Sequence, residues 1–390
     1  MEEKKIENPH SKKNRRRLIS NVIFLILISI LVITLILSLG EISKISLQFQ
    51  EIANGDNWKY LLIAIGLMLV YFFLWPASQC IYGKALNIEA TVGESYLIGC
   101  SEHFYNGITP FAAGGQPFQI YSYTKRNVTT AKATGVILAS FVTFMLVTNA
   151  FALASLAFYP KISAGFEEMN IGWIKYIALI GLIINLLVLL FMIAMGTSKH
   201  IRAFFTKLVY KIANWKFFFK KEKGLRRKIG NALQKSVPIF EEYCENAQTA
   251  FKQVWTHKIA TFFSLLLKII CMASYYLIPF FILKSVGIEV GYDQLILVLF
   301  ATSFAINAVV WMPTPGGVGG IEYAFIIVIA AVTTANQSDP QAVVLIWRML
   351  TYYLILFISF GANAIFEAIT SHRLNKENEI KEIEEQKNNS

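Results

Sequence analysis

The sequence predicts an all-α integral membrane protein with six full spans and two re-entrant hairpins, arranged as inverted-topology repeats. Three features predict it: apolar blocks of bilayer length, basic residues confined to certain segments between them, and two short motifs that recur in the same order in each half.

The apolar blocks set the class. Hydrophobic residues fill 55% of the 390 positions and charged residues only 16%, whereas soluble domains hold about 45–50% and about 25%. A hydrocarbon core of ~30 Å takes ~20 residues of helix. Blocks of that length run over Leu18–Leu39, Trp58–Ile81, Ala131–Tyr159, Trp173–Met195, Ile259–Leu283 and Ala342–Ile369. The first follows basic residues and ends near the small Ser38 and Gly40, as a signal peptide would. Its length exceeds a typical signal core, so an uncleaved span is expected.

The charges orient the chain. The formal net charge is +11, with seven Lys/Arg in residues 1–17 and fourteen, against four Glu, in 196–258. Segments 40–57 and 160–172 hold one Lys each. Cytoplasmic loops collect Lys and Arg, so the basic N-terminus 1–17, the loop 196–258 and the tail 371–390 are expected on the cytoplasmic side of a multi-pass protein of the cell membrane. The tail from Lys376 is rich in Glu, Lys and Asn and reads as disordered or as a frayed helix. No nucleic-acid-binding fold accompanies the charge, so no nucleic-acid partner is expected. The loop interleaves Phe204, Phe205, Tyr210, Trp215 and Phe217–Phe219 with basic residues. That suits helices on an anionic leaflet, or a solvated loop whose aromatics pack on the bundle.

Between the charged ends, residues 18–370 form one membrane domain with an internal repeat. Lys84–Glu89 recurs as Lys284–Glu289, and Thr109-Pro110 followed by Gly114-Gly115 recurs as Thr314-Pro315 followed by Gly319-Gly320. The offsets are 200 and 205 residues, and the order is kept, which points to a duplication. Repeat one covers about 58–159 and repeat two about 259–369, with the 173–195 span between them. Residues 91–124 carry Glu94, Glu102, His103, Asn106, Gln116 and Gln119. That is too polar and too broken for one lipid-facing helix, and it reads as a hairpin dipping in from the cytoplasmic side and returning at Lys125-Arg126. Its counterpart, about 292–335, enters from the other face; its halves 292–311 and 318–335 are also apolar enough to be two full spans. Span–hairpin–span units of opposite orientation are the recurrent plan of secondary transporters, whose ligand site lies where the repeats meet.

The hairpin motifs carry the candidate chemistry. Broken backbone survives in the hydrocarbon only when buried or lining a cavity. Thr-Pro stops a helix, and Gly-Gly permits a tight turn and close approach. A helix restarting at Gly114, Gly115 and Gln116, or at Gly319 and Gly320, would aim its free N–H groups at the membrane centre, where they attract an anion. A purely structural helix contact through glycine is the alternative. Glu322 and Arg348 lie within apolar segments, where a charge costs ~2.5–3.5 kcal/mol on insertion scales, so each needs a partner. They suit a phosphate and a cationic head group, or simply each other. Glu102, His103, Asn106 and Gln119 are candidate polar lining, and Lys125 and Arg126 candidate phosphate contacts at the mouth. The four cysteines and five histidines are scattered without metal-ligand spacing. Nucleotide, zinc-protease and serine-hydrolase motifs are absent. Thus no catalytic residue, metal or cofactor is expected, and any transport is passive or ion-coupled.

The stretches Thr109–Tyr121, TPFAAGGQPFQIY, and Pro313–Glu322, PTPGGVGGIE, resemble the transmembrane, flippase-like domain of the lysylphosphatidylglycerol synthase family. The resemblance covers about 18–370, and its proline–glycine motif is fairly specific. It implies translocation of a phospholipid, an aminoacylated phosphatidylglycerol such as lysylphosphatidylglycerol, between leaflets, as in protection against cationic peptides. A lysyltransferase, or a membrane partner of a separate synthase, is the alternative; a homo-oligomer is also compatible. The segment after span six and the 196–258 loop are each too small for an aminoacyl-tRNA-using domain, so the synthase activity is not expected to carry over. Family members often carry an acidic–basic pair in span three, where this chain reads Ala139-Ser140-Phe141.

Overall fold

The computed structural model describes residues 55, 57–168, 174–215, 225–310, 314–317, 319–332 and 340–388. The first apolar block, Leu18–Leu39, and Pro313 lie outside the described residues. Within them the chain is helical, with no strand. Six helical segments are long and apolar enough to cross a membrane: Trp58–Ala85, Thr130–Ser163, Leu179–Thr197, Lys258–Ser285, Tyr292–Val309 and Val343–Arg373. Five coincide with blocks read from the sequence. The remaining one, Tyr292–Val309, falls in the segment read from the sequence as the first half of the second hairpin or as a full span.

The first span is α1 (Trp58–Leu74) and α2 (Ala77–Ala85), bent at Trp75-Pro76, where proline removes a ladder donor. It ends on a repeated device. Asn87 and Gly287 both take positive φ, 46° and 80°. Around them Ile88 N–H donates to the Gly83 carbonyl and Asn87 N–H to that of Lys84; likewise Ile288 donates to Leu283 and Gly287 to Lys284. These are paired Schellman caps, and they are what the KALNIE and KSVGIE hexapeptides encode.

The first broken segment comprises α3 (Val92–Ile108), a 3₁₀ turn at Pro110–Ala112 and α4 (Gly115–Thr124). A capping box starts α3: the Thr91 hydroxyl accepts from Glu94 N–H, and the Glu94 carboxylate accepts from Thr91 N–H. Arg126, 2% exposed, pairs with Glu94 at 3.2 Å and pins the end of the broken segment to its start. The long α5 (Thr130–Ser155) follows, then α6 (Tyr159–Glu168) and α7 (Ile174–Thr197).

The 196–258 loop is helical where described, as α8 (Lys199–Ala213) and α9 (Leu225–Thr256). Helix α9 buries Ala250, Phe251 and Val254 with α5 and α7, whereas Phe204, Tyr210 and Trp215 stay exposed.

The second half of the chain continues with α10 (Lys258–Ser285), then α11 (Leu295–Val309), a 3₁₀ turn at Pro315–Gly317 and α12 (Gly320–Val332). Helix α13 (Pro340–Arg348) runs through a π-helical turn, Met349–Leu354, into α14 (Ile355–Asn388). The tail from Lys376 is therefore helical as far as Asn388.

Helices α1 and α10 pack along each other, and they do so at equivalent positions. The Cys271 thiol donates to the Tyr71 carbonyl at 3.3 Å, and the Tyr71 and Tyr275 rings lie 4.7 Å apart. Their outer faces expose Leu62, Leu69, Phe73, Phe262, Leu266 and Ile269, as expected of helices in lipid. Lipid tails give apolar helices no reason to associate, so small and polar residues decide the contacts. Gly181 leaves room for the Asn307 backbone on α11, and Asn185 donates to the Asn307 side chain at 2.7 Å.

Candidate functional site

The two broken turns touch each other, beside a cavity of about 620 Å³ lined from both halves of the chain. Each turn is an unwound segment whose freed backbone groups need partners. In the first, Thr109 Oγ1 donates to the Tyr105 carbonyl and accepts from Gly114 N–H, and Asn106 Oδ1 accepts from Gly115 N–H at 2.8 Å. The Tyr352 hydroxyl, from the π-helical turn, donates to the Gly107 carbonyl at 3.0 Å. In the second, Arg348 Nη1 donates to the Gly316 carbonyl at 3.1 Å, and Glu322 Oε2 accepts from Gly319 N–H at 2.7 Å.

These bonds change one expectation. The Gly114, Gly115 and Gly319 N–H groups, read from the sequence as open anion donors, are engaged by side chains of the chain itself. The glycines act through space instead. A Cβ on Gly115 would meet Asn106 Oδ1 at 2.5 Å and Glu102 Cγ at 2.6 Å, so α4 could not lie this close to α3.

Glu322 and Arg348 pair at 2.7 Å, with Arg348 stacked over the Tyr352 ring at 4.9 Å. The pair fastens the second turn and stands back from the cavity wall. Position 139–141 on α5 offers Arg348 no acidic partner; Glu322 fills that role. Lys125 pairs with Glu367 at 2.7 Å at the base of α4, also away from the cavity. Gly320 is buried at the start of α12.

On the cavity wall stand Glu102, Asn106, Gln116 and Gln119, all read from the sequence, together with His103. Glu102 is 9% exposed. Its Oε2 accepts from Trp75 Nε1 at 2.8 Å and Gln119 Nε2 at 3.0 Å; its Oε1 accepts from Gln116 Nε2 at 3.2 Å and Asn106 Nδ2 at 3.4 Å. Gln119 also donates to Gln79, which donates to the Tyr123 hydroxyl.

Sequence reasoning missed the cavity's cation. Lys268 sits in the middle of α10, 2% exposed, with its ammonium donating to the Trp75 carbonyl at 2.8 Å and lying 4.2 Å over the Trp75 ring. The bend at Pro76 leaves that carbonyl outside either helix. The signal was available, since Lys268 breaks the Ile259–Leu283 block as Arg348 breaks the last. Trp75 carried no such signal, because an aromatic next to proline in an apolar block looks like ordinary filler. Among the described residues no group of His, Cys, Asp and Glu could hold a metal ion.

Six helices long and apolar enough to span a membrane, around a charged, amide-lined chamber, define a multi-pass helical membrane protein. The chain belongs to the family described as "Lysylphosphatidylglycerol synthase TM region", whose model matches residues 22–359. It is 25% identical over 341 residues to a UPF0104 membrane protein of Archaeoglobus fulgidus, covering 87% of this chain and 94% of that one. It is 22% identical over 359 residues to an uncharacterized MG306 homolog of Mycoplasma pneumoniae, covering 86% and 85%. Similarity to uncharacterized protein MG306 of Mycoplasma genitalium is 22% over 374 residues, covering 89% of each. No solved structure matches the chain.

Proposed function

We propose that the protein moves a phospholipid between the leaflets of the cell membrane, its head group passing through the chamber between the two broken turns. The observation that carries this reading is the chamber itself. It is about 620 Å³, within the ~300–1,000 Å³ range of small-ligand sites, and it holds a buried carboxylate and a buried ammonium. Charges inside a membrane protein are costly and mark substrate pathways.

In this reading the two units cross the membrane in opposite senses, with 91–124 and 292–335 as re-entrant hairpins and both termini in the cytoplasm. The matched caps and turns support that plan, and the basic residues of 196–258 support the orientation. The family's description makes phosphatidylglycerol and its lysyl derivative the first lipids to examine. Purified protein in liposomes is expected to speed the loss of fluorescence of labelled phospholipid on adding an impermeant quencher. Exchange no faster than in protein-free vesicles, across anionic, zwitterionic and aminoacylated lipids, would refute it.

A further inference from the structure

We infer that Lys268 is the receptor for the phosphate of the ligand, and that the chamber selects a lipid whose head group bears no ammonium. The inference deepens the translocation reading and rests on its chamber, but it makes a separate claim about which head group fits.

Formal charges on the two wall residues cancel, so net charge does not decide the ligand. Hydrogen-bonding capacity does. An ionised carboxylate offers about four acceptor sites. Glu102 has filled them, two donors on each oxygen, from Trp75, Gln119, Gln116 and Asn106. An incoming ammonium could bond Glu102 only by displacing an amide or indole that would then be buried without a partner, at about 1–3 kcal/mol. Glu322, at the second turn, is held by Arg348 and Gly319, and Glu367 by Lys125; neither is on the wall.

Lys268 is in the opposite condition. An ammonium has three donors, and among the described residues Lys268 spends one, on the Trp75 carbonyl. Two are left on a side chain 2% exposed at the wall of the chamber. Beside it, His103 Nε2 is buried with no hydrogen-bond partner among the described residues, its ring 4.6 Å from that of Trp75. Such unspent buried groups call for a ligand or water. The chamber therefore has a filled acceptor and open donors, the complement of a phosphodiester. Trp75 ties the two together, since its indole N–H fixes Glu102 while its carbonyl and ring face fix Lys268.

The test uses nitroxide-labelled phosphatidylglycerol, phosphatidylcholine and lysylphosphatidylglycerol with the purified full chain. Binding is read from the motionally restricted fraction, and exchange is read in parallel in liposomes. Phosphatidylglycerol is expected to bind about tenfold more tightly than the lysyl lipid, a factor equal to ~1.4 kcal/mol. Lys268→Met should abolish that preference, and Lys268→Arg should keep it. Equal or tighter binding of the lysyl lipid overturns the proposal, as does a Lys268→Met protein that still prefers phosphatidylglycerol. If Lys268→Met does not fold, the wild-type preference decides alone. Exchange without the preference refutes this proposal and leaves translocation standing; the preference without exchange refutes translocation and leaves the receptor standing.

Discussion

Phe111 and Gly316 hold the same left-handed backbone, φ 58° and ψ 15° in one, φ 59° and ψ 14° in the other. Their successors repeat the match, Ala112 at φ 50° and Gly317 at φ 66°. Two turns from different halves of the chain, with the same uncommon angles in the same order, meet at the chamber.

The match predicts an asymmetric response to substitution. A left-handed conformation costs an L-residue roughly 1–2 kcal/mol, which the first turn bears at Phe111 and the second avoids with Gly316. Phe111→Gly is expected to be neutral or to stabilise by up to about 1 kcal/mol, the relief being offset by the freer unfolded chain. Gly316→Ala should destabilise by at least about 1–2 kcal/mol, because its Cβ would also enter the Tyr352 ring. Denaturation in detergent micelles measures both.

Arg348 is nearly buried and Glu322 partly so, with side chains 6% and 28% exposed. Removing one member of a buried pair costs about 3–5 kcal/mol because the other charge is stranded. Glu322→Gln should therefore lower the melting temperature sharply, because it strands the nearly buried Arg348, and Arg348→Met less, because the Glu322 it strands is more exposed. The double variant Glu322→Gln/Arg348→Met should be no worse than Arg348→Met alone. A strictly additive double variant would mean that the two do not depend on each other.

The Lys125–Glu367 pair is more open, its side chains 22% and 40% exposed. Pairs of this kind contribute about 0–1 kcal/mol and weaken with salt. Lys125→Ala is expected to leave lipid exchange at the wild-type rate and stability within about 1 kcal/mol. A severalfold loss of exchange would give Lys125 a place in the lipid path.

Gly115→Ala tests the close approach of α4 to α3. Its added methyl would press on Asn106 and Glu102, and overpacking costs roughly 1–3 kcal/mol. Exchange should fall further than stability, since the displaced groups line the chamber. Comparing the exchange rate with the melting temperature separates the two effects.

Much of this was legible in the sequence, for physical reasons. Apolar length marks a span, and Pro and Gly mark places where a helix cannot continue, so the blocks and both broken turns could be read directly. Glu102, Asn106, Gln116 and Gln119 stood out as polar residues in a segment bound for lipid. What stayed hidden depended on three-dimensional partnership. That Thr109 and Asn106 would cap the Gly114 and Gly115 amides, or that Lys125 would find Glu367 near the other end of the chain, has no local signature. Lys268 was visible as an interruption, but its meaning depends on the carbonyl that the Trp75-Pro76 bend leaves open.

The π-helical turn at Met349–Leu354 makes chain length itself a determinant of the chamber. Such a turn holds one residue more than a regular helix of the same rise. Deleting one residue there would restore a regular helix whose two flanks keep nearly the same phase. Arg348 would still face Glu322, but Tyr352, inside the turn, would leave the Gly107 carbonyl to which its hydroxyl donates and the chamber wall it forms. Comparisons between relatives that place a one-residue gap at this point would keep the flanking helices aligned and lose the contact between the two halves.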